Sequence, residues 1–212
     1  MGTIKKGILG GFSGKVGTVV GGSWKGISYM RSLPQKVKNP RTAGQVSQRS
    51  KFALTMNFLK PMTAFLRTGW KLYAHRQSPI NAAMSHALAN AVTGAYPDYE
   101  IDPSKVLVSR GSLTPATNAT ADAAGSRIEF MWDDNSGIGS AKLTDKALIA
   151  IANPTKGEAV TINAGEERMT GAQAVAIPAD WSGDEVQVYL GFISEDGKEV
   201  SNSAYLGAIP IA

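Results

Sequence analysis

The spacing of apolar and polar positions changes character twice along this chain. In the first forty residues, beyond Gly2, glycine falls at 7, 10, 11, 14, 17, 21, 22 and 26, with β-branched or aromatic residues between. That pattern predicts a short strand over residues 16–20, a two-residue turn at Gly21-Gly22 and a return strand over residues 23–31. Strict alternation on the return strand would put Trp24, Gly26, Ser28 and Met30 on one face, with Lys25, Ile27, Tyr29 and Arg31 on the other. Neither face is cleanly apolar, and a lone hairpin is marginal in water. This arm is therefore expected to lie against another surface.

A helical period follows. Thr42 stands as an N-cap with Gln45 three residues on, the signature of a capping box. Val46, Phe52, Ala53, Met56 and Leu59 keep an approximately helical spacing. Lys60-Pro61 ends or kinks that helix, and a second begins there, carrying Met62, Phe65 and Leu66, with Trp70 and Tyr73 beyond. The third helix has Ser78 as cap and Pro79 at its first position, and Gly94 is its expected stop. Ile80, Met84, Ala87, Leu88, Ala91 and Val92 form its expected buried stripe.

Beyond Asp98 the period falls to two. Residues 105–109, 126–132, 142–152, 158–163, 173–177, 185–194 and 199–207 read as strands, and Asp196-Gly197 is a hairpin signal. Seven short strands with a Trp on the second fit an immunoglobulin-like or fibronectin-III-like sandwich. The expected fold class is α+β: a glycine-rich N-terminal hairpin arm over residues 1–40, two or three helices over 41–96, and the sandwich over 97–212.

Charge sharpens this division. Residues 1–96 hold fourteen Lys and Arg and no acid, whereas the remainder holds eight bases and all seventeen acids. The two parts are thus about +14 and −9, which sum to the +5 of the whole. So polarised a chain should bind an anionic surface with its first part, and one such surface is the acidic part of another copy. There are no cysteines, which removes disulfides and thiolate metal sites. No apolar run reaches the roughly 20 residues that span a bilayer, and glycines and Lys15 break any signal-peptide core. The expectation is a protein without signal peptide or membrane association, cytoplasmic or associated with a virion or particle.

The motifs that would carry chemistry fail on inspection. Gly14-Lys15 is followed by Val16 where a phosphate-binding loop needs Ser or Thr. Residues 133–137, Asp-Asp-Asn-Ser-Gly, lack the spaced ligands and closing Glu of a calcium loop. His75 and His86 have no second ligand at metal spacing. No nucleophile, base and orienting group can be argued as a set. The expectation is a protein that is not an enzyme, with no cofactor, metal or small-molecule substrate. Lys15, Trp24, Lys25, Tyr29, Arg31, Lys36, Lys38, Arg41, Arg49 and Lys51 are instead candidate contacts for assembly or for a polyanion. Aromatics interleaved with cations also suit nucleic acid, by stacking and phosphate contact.

The run from Gly7 to Gly17, then Trp24-Lys25-Gly26, Arg31-Ser32-Leu33-Pro34, Asn39-Pro40-Arg41-Thr42, Gln48-Arg49 and Lys51-Phe52, resembles an uncharacterised family of bacterial proteins of about this length. The run from Trp132 to Gly137, Asn153-Pro154 and Tyr205-Leu206-Gly207 are similar to that family too. The resemblance brings no activity or site residues with it. The Asn-Pro-Arg-Thr segment, with Gln45, Arg49 and Phe52 after it, is also similar to what small phage and prophage structural proteins carry behind a glycine-rich basic start. The leading expectation is a non-enzymatic, self-assembling structural subunit of a phage-like particle or filament, its +14 part meeting the −9 part of a neighbour head-to-tail, with Trp24, Tyr29, Phe52, Phe58 and Trp70 buried between copies. The alternative is a nucleic-acid-binding protein using the same acid-free half.

Overall fold

The computed structural model describes residues 2–4, 7, 10–24, 26–35, 41–74 and 77–211. They divide into two units, Met1–Thr42 and Ala43–Ala212. Three candidate residues, Lys25, Lys36 and Lys38, lie outside the described residues, as does His75.

The first unit is an antiparallel sheet of four strands, β1 (Thr3–Ile4), β2 (Phe12–Val16), β3 (Val19–Trp24) and β4 (Ile27–Ser32), in that order. This corrects the single hairpin expected there. Gly21-Gly22 is no turn but the middle of β3, paired with Met30 and Tyr29 of β4. The chain reverses instead around Gly17 and Gly26, whose φ values of 57° and 88° are the left-handed kind that glycine adopts without strain.

The second unit starts where the capping signal places it, with α1 (Ala43–Leu59) beginning directly after Thr42. A 3₁₀ turn at Lys60–Met62 breaks the helix at Pro61 and leads into α2 (Thr63–Gly69) and then α3 (Pro79–Asn90). The Ser78 hydroxyl caps α3 by accepting from the Asn81 N–H at 3.3 Å. Gly94 does not stop this helix. α3 ends at Asn90, and Gly94 lies in a hairpin strand, β5 (Val92–Ala95), paired with β6 (Asp98–Ile101).

The remaining strands are β7 (Thr117–Ala124), β8 (Arg127–Asp133), β9 (Lys146–Asn153), β10 (Glu158–Ile162), β11 (Ala172–Ala176), β12 (Glu185–Ile193) and β13 (Ala204–Pro210). They form two antiparallel sheets, ordered β11-β8-β7 and β10-β9-β12-β13. The fold is α+β. Residues 105–109 are not a strand. Pro103–Lys105 is a 3₁₀ turn, and the extended backbone after it bonds to groups outside any sheet. Val108 N–H donates to the Ser203 hydroxyl at 3.0 Å, and the Leu107 carbonyl accepts from the Trp70 indole at 3.1 Å.

The two central strands of the β10-β9-β12-β13 sheet, β9 and β12, are buried on both faces. Ala147, Ile149 and Ile151 of β9, with Val186, Val188, Leu190 and Phe192 of β12, share one core with Ile128, Phe130 and Trp132 of β8. The alternate residues Leu148, Ala150, Ala152 and Tyr189 share a second core with Leu59, Met62, Phe65, Leu66 and Trp70 of the helices and with Met84 and Ala87 of α3. A strand buried on both faces needs apolar residues throughout, which is why β9 shows no polar alternation.

A buried cation closes one end of the two-sheet core. Arg168 is fully buried, and its Cζ lies 3.8 Å from the centre of the Phe192 ring. Its Nε donates to Asp145 at 3.2 Å, Nη1 to Asn135 at 2.5 Å and Nη2 to the Thr114 carbonyl at 2.9 Å. Three loops are thereby tied to one side chain. Replacing Arg168 with Met should cost about 3–5 kcal/mol, because Asp145 is left buried and uncompensated. Adding Asp145→Leu should recover much of that loss. Urea midpoints of the single and double variants check this.

His86 packs against Trp70 with ring centroids 5.5 Å apart. Burial, and then the charge of Arg110, hold its imidazole below the ordinary value of 6.5. Unfolded His86 takes up a proton near 6.5 while the folded residue does so only at lower pH. Its contribution to stability is therefore whole above that value and is lost as pH falls through and below it. Urea midpoints taken from about pH 7.5 to about pH 5.5 should fall, and His86→Gln should flatten the drop. An unchanged slope in that variant contradicts the assignment.

Candidate assembly surface on the ribbon

Strand register decides which ribbon side chains stand together. Lys15 pairs with Val20 and Val20 with Arg31, so these three form one row across β2, β3 and β4. Gly22 faces Tyr29, and Trp24 faces Ile27. Residues opposite one another in an antiparallel pair share a face. Lys15, Arg31, Tyr29, Trp24 and Ile27 therefore all point the same way. The expected separation of Trp24 from Tyr29 and Arg31 is corrected, because the turn at Gly26 begins a new strand and resets the alternation.

The row geometry sets the spacing. Lys15 and Arg31 stand two strand spacings apart, about 10 Å. Along the strands from them come Tyr29 and then Trp24 with Ile27. Tyr29 lies across Gly22, where an added Cβ would come within 3.1 Å of its hydroxyl and Cζ. The glycine thus gives the ring a seat on the sheet. Trp24 is 65% exposed, Ile27 69% and Tyr29 46%, which makes this face both cationic and apolar. Neither Lys15 nor Arg31 joins a salt bridge among the described residues.

The opposite face is uncharged among the described residues. Ile4 pairs with Phe12, Gly14 with Gly21, Gly21 with Met30, and Val16 with Val19. Ile4, Val16 and Met30 are more than half exposed. Gly21 is the one buried residue described in the whole unit.

The remaining candidates are not on the ribbon strands. Arg41 is exposed ahead of α1. Arg49 and Lys51 are on α1, where Lys51 Nζ sits 4.7 Å from the centre of the Tyr99 ring and the Tyr99 hydroxyl bonds Ser47 at 2.7 Å. Phe52 is 51% exposed. Trp70 is 1% exposed and belongs to the core of its own unit, so it cannot be presented between copies. Phe58 packs partly against that same core.

Among the described residues no group of three or more His, Asp or Glu could hold a metal ion. No helix among them is long and apolar enough to cross a membrane. Fold and surface together define an α+β protein that displays a cationic, aromatic-bearing ribbon. The chain belongs to a family of unknown function, DUF6266, whose model matches residues 11–207. A search of curated proteins finds no match.

Proposed function

We propose that the protein is a non-enzymatic structural subunit that assembles with copies of itself into a phage-like particle or filament, joined through its N-terminal ribbon. One observation carries this reading. The ribbon is a four-stranded sheet with a single buried residue described, yet it displays Trp24, Ile27, Tyr29, Met30, Val16 and Ile4. These side chains divide between the two faces, with Trp24, Ile27 and Tyr29 grouped beside Lys15 and Arg31 on one of them, and exposed apolar side chains grouped in this way support an interaction role.

Magnitudes separate the roles of the side chains. Full burial of each large apolar residue is worth about 1.5–3 kcal/mol, whereas an exposed ion pair gives about 0–1 kcal/mol. Trp24, Ile27 and Tyr29 would then supply the affinity, while Lys15 and Arg31 set register and speed encounter with an acidic neighbour. The body over β7–β13 would serve as the rigid part, as a fibronectin-III-like sandwich. Its strand order supports that reading: one sheet takes the first, second and fifth strands, the other the fourth, third, sixth and seventh. The likeness of the Asn39–Thr42 region to phage structural proteins favours a particle over a soluble regulator.

A second reading has its own support. Cations and two aromatics on one exposed face are also what a single-stranded nucleic acid would stack on and thread across. Salt separates the two readings. Phosphate contacts make log K fall steeply with log salt, by about 0.9 per phosphate on duplex and about 0.7 on single strands.

Deleting residues 1–40 should leave a folded monomer, while the full chain associates at micromolar concentration and low salt. Sedimentation with light scattering checks this, and a truncated chain that assembles like the full one contradicts the proposal. Purified full chain with a raised 260/280 absorbance ratio and salt-labile polyanion binding, but no self-association, moves the function to the second reading.

A further inference from the structure

The second unit carries an open groove of about 940 Å³ between the end of α1, the β5–β6 hairpin and the β9–β10 turn. Its size is at the upper end of what ligand clefts reach. Phe58, Ile101 and Ala152 give it an apolar floor, and Glu100, Glu158 and Glu185 line it with carboxylates. Lys60 and Lys156 also line it, but Lys156 is held by the Asp180 carboxylate at 2.8 Å. The carboxylates differ in how far they are already engaged. Glu158 accepts from the Trp181 indole at 3.1 Å, and Glu185 accepts weakly from Gln187 at 3.4 Å. The Glu100 carboxylate has no partner among the described residues.

We infer that this groove is the receptor for the cationic ribbon face of a second copy of the chain, with Trp24 and Ile27 seated on its apolar floor and Arg31 and Lys15 directed to Glu100 and Glu185. The inference rests on the assembly reading above and names the surface that receives the ribbon. Complementarity chooses the occupant. The groove offers apolar surface beside carboxylates, and the ribbon face offers exposed apolar side chains beside cations, from a stretch that contains no acid at all. A phosphate-bearing ligand would meet three carboxylates against the one ammonium, Lys60, that joins no salt bridge among the described residues, and on balance would be repelled. A small polar ligand would find an open groove rather than an enclosing pocket.

The contact has a direction. Each copy holds one ribbon and one groove, so the surfaces that meet are different. Such heterologous contacts repeat and close into rings or run on as filaments. Blocking the ribbon on one copy and the groove on another should therefore leave a single usable contact between them.

That consequence is the test, made on the full chain by sedimentation velocity at micromolar concentration and low salt. One variant carries Glu100→Lys and Glu185→Lys, the other Trp24→Ser and Arg31→Glu. Both glutamates are exposed, and circular dichroism verifies folding. The milder pair Glu100→Gln and Glu185→Gln, expected to weaken association about tenfold, serves if the lysine pair misfolds. Each variant alone should be monomeric, and an equimolar mixture should form a dimer and stop there. If the groove variants assemble like the unaltered chain while the ribbon variant stays monomeric, the groove is not the receptor and the assembly reading stands. If groove and ribbon variants all assemble like the unaltered chain, both ideas fail. If both are monomeric alone and remain so when mixed, the directional pairing is wrong.

Discussion

Apolar burial that the ribbon cannot provide for itself is the constraint on which the rest depends. A sheet gains stability by covering one face with a core. Here β2, β3 and β4 put Phe12, Val16, Val19 and Met30 on one side and Val20, Trp24, Ile27 and Tyr29 on the other, and Gly21 alone among the described residues of this unit is buried. Glycine-rich strands add backbone entropy to the cost of ordering. On the proposed assembly, covering this sheet with another surface would supply most of its stability and would couple its folding to its binding.

The second unit is the converse case. Its β9 and β12 are covered on both faces, one by β8 and its neighbours and the other by helices. Arg168 then holds three loops at the end of the inner core through Asp145, Asn135 and the Thr114 carbonyl. On the proposed assembly, a ribbon that gains its order on contact would be carried by a unit that already has its own cores. Charge asymmetry would give such an assembly direction, because an acid-free segment is repelled by its own kind and attracted to an acidic surface.

Much of the body was legible because its signals are local. The Ser78-Pro79 start of α3 and the break at Pro61 follow from hydrogen-bond donors that proline lacks and caps that serine supplies. Strands β8 to β12 follow from alternation or from an apolar run too short for a helix. What failed needed long-range information. β7, with two Thr outweighed by Asn, Asp and four Ala, carries a weak strand signal and is held by its pairing with β8. Gly94 looks like a helix stop yet sits in β5. Gly21-Gly22 matches a hairpin turn in composition, but the same residues also suit a close approach by Phe12 and Tyr29 rings.

The candidate surface was legible in residue type and not in arrangement. Lys15, Trp24, Tyr29 and Arg31 stand out in any reading of composition. That they share a face depends on where the chain turns, and shifting the turn from Gly21-Gly22 to Gly26 moves Trp24 to the other side. The groove was invisible in sequence, since Phe58, Ile101 and Glu185 are brought together only by tertiary packing. The most direct measurement is amide hydrogen exchange in β3 and β4 of the full chain across a range of protein concentrations. Protection that is weak in dilute solution and rises with concentration is the predicted result; protection that is strong and independent of concentration would show a ribbon stable without a neighbour and would contradict the account.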